Sequence, residues 1–164
     1  GPSPRLRGEG GRRLDEGSHA AIASDTLGVM SAQGVAPPAN DWPRLVSESI
    51  KQNGLWHTYA KLREARRAYV SDDSLRGYLE IVRNTIVREF LSRPKGMQVV
   101  PKISAEFLSS FDRFDLNAQE GYLVSLIDGR LDLQKLTLLS PFDPFTTVFV
   151  LARLEQDRAI TIPQ

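Results

Sequence analysis

Two histidines, His19 and His57, and no cysteine are the whole stock of soft metal ligands in the 164 residues. A zinc site needs three or four such side chains converging on one point. These two stand far apart in sequence and do not make one; His57, beside Trp56, reads as a boundary residue on a helix face. Asp112 and Asp115 have a spacing that an acid/base pair could use, but nothing nearby supplies a nucleophile or oxyanion donors, and capping and solvation account for both. The Gly-rich Arg7–Gly11 lacks the strand, the Lys-Ser/Thr and the following helix of a phosphate loop. Asp128-Gly129 is turn chemistry. The expectation is a chain that is not an enzyme and takes no metal or cofactor. Without cysteines there is no disulfide or thiol chemistry, which fits a cytoplasmic protein.

The elements around these residues fall into three regions. Residues 1–40 are dense in Gly, Pro, Ser and Arg and poor in large apolar groups, so they bury too little to offset the entropy of ordering. They read as a disordered tail or linker of mixed charge. Within it, Ile22, Leu27, Val29 and Met30 of Ala20–Gln33 suit a short helix that forms when docked on something. Gly1-Pro2 reads equally as a protease scar, which would make the chain a fragment. There is no apolar h-region for a secretory signal, and no apolar run approaches the ~20 residues of a membrane span.

Residues 41–94 predict three helices. Asp41 is the expected cap of the first, with Leu45, Val46 and Ile50 inward and Asn53-Gly54 as its stop. The second runs from Leu55 to Val70 with Trp56, Tyr59, Leu62 and Tyr69 on its inner face. After Ser71-Asp72-Asp73, the third runs from Ser74 to Ser92 on the period Leu75, Tyr78, Leu79, Val82, Ile86, Phe90. The Ala-spaced second helix and its Ala68–Asp73 end resemble one degenerate tetratricopeptide repeat plus a capping helix. A plain helical hairpin with a third helix fits equally.

Residues 97–163 begin with a possible strand at Met97–Val100 and a short helix over 104–113. Asn117-Ala118-Gln119-Glu120 is a capping-box pattern. It opens a helix with Tyr122, Leu123, Leu126 and Ile127 inward that stops at Asp128-Gly129. Asp132 caps Leu133–Leu139, with Leu133, Leu136 and Leu139 inward. Asp143, pushed out of the α region by Pro144, caps the long helix to Gln156. Ala159–Ile162 is strand-like, with Met97–Val100 or Phe114–Leu116 as its expected partner. The expected architecture is mainly α: a helical hairpin plus capping helix, then a C-terminal winged helix-turn-helix with minimal strand.

The run Glu120–Gly129 together with Ser140-Pro141-Phe142-Asp143 resembles a winged-helix module of bacterial signalling proteins. That module is common in myxobacteria and other delta-proteobacteria and often stands beside PATAN domains. The resemblance covers roughly residues 97–163 and implies a regulatory or adaptor role without enzyme activity.

A duplex reader would place its second motif helix, here Pro144–Gln156, in the major groove behind a positive field. From Ile103 to the end, however, five cations face nine acids, a net of −4. The charge therefore disfavours nucleic acid. The leading expectation is a non-catalytic protein-interaction or regulatory adaptor in bacterial signal transduction. Its contact surfaces would be the basic helical face (Arg63, Arg66, Arg67, Arg83) and the outer polar face of the last helix (Thr147, Arg153). A DNA-binding winged-helix regulator using Arg153, Arg158 and the basic helices is the alternative. A structural or oligomerisation subunit, a possible homo-oligomer, is the second, because Trp42, Trp56 and the other aromatics exceed what so small a core readily hides.

Overall fold

In a computed structural model, residues 41–163 are described. The tail, with Ala20–Gln33, Arg7–Gly11 and His19, lies outside them. The described chain is mainly helical with one small two-stranded sheet. Helix α1 spans Trp42–Ala68 and α2 Asp73–Leu91. A 3-10 turn at Gly96–Gln98 leads to β1 (Lys102–Ile103) and α3 (Ala105–Ser109). A second 3-10 turn at Phe111–Arg113 precedes α4 (Ala118–Leu126), α5 (Leu133–Leu139), α6 (Pro144–Gln156) and β2 (Ile160–Thr161).

The two helices expected over residues 41–70 are both present, run together at a kink within the span Trp42–Ala68. Gly54 sits at φ 81°, ψ 174°, a backbone conformation that interrupts the helix where Asn53-Gly54 was expected to stop it. Asp41 does not cap α1, since its side chain accepts no cap hydrogen bond. The junction is held instead by Asp72, which caps α2 through the Leu75 amide at 3.0 Å and accepts from Trp42 Nε1 at 3.0 Å. Buried Ser49 and Thr58 share a hydrogen bond of 2.8 Å across the kink.

The sheet joins strands distant in sequence, with Lys102 opposite Thr161 and Ile103 opposite Ile160, antiparallel. The partner of the last strand is therefore neither Met97–Val100, which holds a 3-10 turn, nor Phe114–Leu116. Pro101 explains the shift: it lacks the amide a ladder needs, so pairing starts after it. Ser104 locks the corner, its hydroxyl donating to Arg158 O at 2.6 Å and accepting from the Phe107 amide at 2.9 Å.

Helix α6 is the centre of the molecule. Six consecutive residues, Thr147 to Ala152, are buried, as is Leu154. A helix apolar on every side has to be surrounded. It packs against α2, α4, α5 and β2. Phe149 also meets Trp56 and Tyr59 of α1, with ring centroids 5.6 and 5.1 Å away. The same core thus runs through both expected helical regions. Three caps hold the periphery in place: the complete Asn117/Glu120 capping box, Asp132 on the Lys135 amide, and Asp143 on the Thr146 amide.

Candidate functional site

The six side chains expected to meet a partner fall in three separate places. Arg63 and Arg67 are exposed on one face of α1, with Arg63 at 5.9 Å over the Tyr59 ring. Arg66, between them in sequence, turns to the carbonyls of Tyr69 and Val70 and caps the end of the helix. Arg83 lies on α2, its guanidinium 5.2 Å from the Phe145 ring and 4.8 Å from Phe149, paired with Glu80 at 3.0 Å. Its Nε is buried with no acceptor among the described residues. Arg83 therefore seals α2 to α6 and is a structural cation.

Thr147 and Arg153 correct the outer polar face. Thr147 is fully buried; its hydroxyl donates to Asp143 O at 3.0 Å and meets Ser140 Oγ at 2.8 Å. A polar outer side is expected where a helix packs by one face only, but α6 is enclosed on the Thr147 side as well. Arg153 is half-buried and turned to Glu120, which is only 2% exposed. No row of cations on α6 faces solvent.

The exposed side chains that sequence reasoning missed are apolar. Leu138 is 78% exposed, Leu139 54% and Tyr122 41%. Leu139 and Tyr122 were expected inward. Tyr122 packs edge-on to Phe142 at 6.1 Å, which ties the exposed side of α4 to the turn after α5. One signal was present: α5 reads LQKLTLL, and a seven-residue helix cannot turn four leucines to one side. Leu133 and Leu136 take the core, leaving Leu138 and Leu139 outside.

Chemistry finds few footholds here. Among the described residues no group of three or more His, Asp or Glu side chains could hold a metal ion. His57, Asp112 and Asp115 are exposed and stand in no hydrogen-bonded constellation with a nucleophile. The carboxylates with displaced pKa values are turn and cap residues. Asp143 is held below the usual range by hydrogen bonds from the Thr146 hydroxyl and amide. Asp132 is lowered by the Lys135 amide, and Asp128 by the amides of Leu131 and Arg130. A depressed carboxyl is committed to its ionised, hydrogen-bonded form and is a poor proton carrier near neutrality. The cleft at the kink, about 350 Å³, has Trp56, Ile86 and Phe90 in its wall and the Arg93–Glu155 ion pair (2.6 Å) on its rim. It too holds no nucleophile–base pair.

Among the described residues no helix is long and apolar enough to cross a membrane. No protein-family model, curated protein or solved structure matches the chain.

Proposed function

We propose that this chain is a non-catalytic protein-interaction or regulatory module of bacterial signal transduction, with residues 97–163 as a winged-helix variant whose wing is the short β1–β2 pair. One observation carries the reading: three large apolar side chains, Leu138, Leu139 and Tyr122, stand in solvent on α4 and α5 although the core beneath them is closed. Exposed large apolar groups gain most from a protein partner. The resemblance of Glu120–Gly129 and Ser140–Asp143 to signalling winged helices points the same way. Arg63 and Arg67 add a cationic flank on α1 for acidic groups of a partner.

Reading of duplex DNA, the alternative, has less support. Helix α6, the recognition helix of that scheme, is enclosed by α2, α4 and α5, and Arg153 is spent on Glu120. Two assays discriminate. Binding to generic duplex DNA is measured from low to physiological salt, and no affinity at low salt is expected. Partners retained from a bacterial extract by the whole chain are compared with those retained by Leu138→Asp/Leu139→Asp. Loss of a partner with the fold intact supports the reading; an unchanged set of partners, or tight salt-sensitive DNA binding, defeats it.

A further inference from the structure

We propose that the cleft at the kink binds a small organic cation, an ammonium or guanidinium group carried on an apolar stem. The cleft encloses about 350 Å³, toward the lower end of what small-molecule sites enclose. Its apolar wall comes from two helices, with Ile50, Leu55 and Trp56 on α1 and Ile86 and Phe90 on α2.

The charged groups decide the sign of the ligand. Two carboxylates line the cleft, Glu89 and Glu155, against one cation, Arg93. Arg93 is already committed, its Nη1 donating to both oxygens of Glu155 at 2.7 and 2.6 Å. Glu89 is exposed, and among the described residues its carboxylate has neither a hydrogen bond nor an ion pair. One negative charge in the cleft is therefore left over.

The backbone adds the same sign. Three helix C-terminal ends line the cleft: the first half of α1 where Gly54 breaks it, the last turn of α2 at Glu89 and Phe90, and the last turn of α6 at Ala152, Glu155 and Gln156. Each such end carries about half an elementary negative charge on its carbonyls.

Arg93 itself shows how a cation sits here. Its guanidinium lies 4.9 Å from the centroid of the Phe90 ring while Glu155 takes the charge. Trp56 and Glu89 offer the same combination of ring and carboxylate to a ligand. Beyond the Arg93–Glu155 pair, a second cavity of about 290 Å³ shares Phe90 and both members of the pair with the first. Its further wall is Val99, Ile162 and Pro163, and its charges cancel. The cationic head thus belongs in the first cavity, and the second has room for a longer stem.

Phenethylammonium is the probe, with 3-phenylpropionate and 2-phenylethanol as its anionic and neutral counterparts of similar size. Binding to the whole chain is followed through the NMR signal of the Trp56 indole. At low salt the ammonium should bind about tenfold more tightly than either counterpart, and the margin should shrink as salt rises. Glu89→Gln, a change at an exposed position, should bring the ammonium to the level of the alcohol. Arg93→Gln frees the Glu155 carboxylate and should tighten ammonium binding about three- to tenfold, whereas disruption of the cleft would weaken all three probes alike. Equal binding of the three probes, tighter binding of the carboxylate, or an ammonium affinity untouched by Glu89→Gln overturns the proposal. Tighter carboxylate binding would assign Arg93 to an anion instead. None of these results bears on partner capture through Leu138 and Leu139, which lie on α5 and outside the cleft.

Discussion

Arg153 holds Glu120. Its Nη1 lies 3.1 Å from Glu120 Oε1, and its Nε is 3.5 Å from Asp157. Glu120 Oε1 has no aligned hydrogen-bond donor, so this charge contact is its compensation, while Oε2 closes the capping box on the Asn117 amide at 2.9 Å. One carboxylate thus fixes the start of α4 and, through Arg153, ties that start to the last turns of α6.

Removing the arginine should therefore cost more than its half-exposed position suggests. Arg153→Met leaves a buried carboxylate uncompensated and is expected to lower stability by roughly 1–3 kcal/mol. Glu120→Gln should cost less, since its carbonyl still accepts from Asn117 and no charge is stranded. Urea unfolding of both variants checks the order; a neutral Arg153→Met would show the pair to be ornamental.

What was legible in the sequence was what short-range chemistry decides. The capping box at Asn117, the caps at Asp132 and Asp143, and the stop at Asn53-Gly54 are each written within four residues, and the structure has them. What was not legible depended on elements far apart. Asp41 has the sequence of a cap but its side chain makes no cap hydrogen bond; the start of α1 is tied instead through the indole of Trp42 to Asp72, whose other oxygen caps α2. Thr147 carries a polar side chain on a helix with an apparent outer side, and only the enclosure of α6 by its neighbours puts that hydroxyl in the core. The strand partner Lys102–Ile103 is two residues long, too short to show a period. The exposed leucines of α5 follow from crowding, which a count per helix turn would have exposed.

The Trp42–Asp72 bond joins the start of α1 to the start of α2, so the two residues should be coupled. Trp42→Phe keeps most of the buried ring and loses the indole donor, an expected cost of about 0.5–1.5 kcal/mol. Asp72→Ala should cost more, because it also strips the α2 cap. In a double-mutant cycle the combined loss should fall short of the sum. Strict additivity would mean that the bond contributes nothing to stability.

Acid should act on the caps. Asp143 has a folded pKa depressed below its ordinary 3.8, so it contributes stability present above that value and lost as pH falls through the folded pKa. Asp143→Asn keeps a capping oxygen without the titration. It should match the parent near pH 7 and unfold with a shallower slope below about pH 4. Asp143→Ala should lose about 1 kcal/mol at neutral pH. Thermal melts across pH 2–7 test the set, and an Asn variant with the parent's acid slope would remove Asp143 from the account.

Two glycines with equal room around them should respond with opposite sign. A Cβ at Gly54 or at Gly77 would meet nothing within 4 Å, so sterics with neighbours decide neither case. Gly54 has φ 81° and ψ 174°, a region almost closed to L side chains, and Gly54→Ala should cost roughly 1–3 kcal/mol. Gly77 lies exposed inside α2 with ordinary helical backbone, and Gly77→Ala should add about 0.5–1 kcal/mol by reducing the entropy of the unfolded chain. The kink is the reason for the difference. It lets α1 bury Leu45 and Val46 before the bend while Trp56 and Tyr59 reach Phe149 after it. If Gly54→Ala instead stabilised the chain as Gly77→Ala does, α1 would be one unbroken helix in solution, and the seat of Phe149 would have to be built another way.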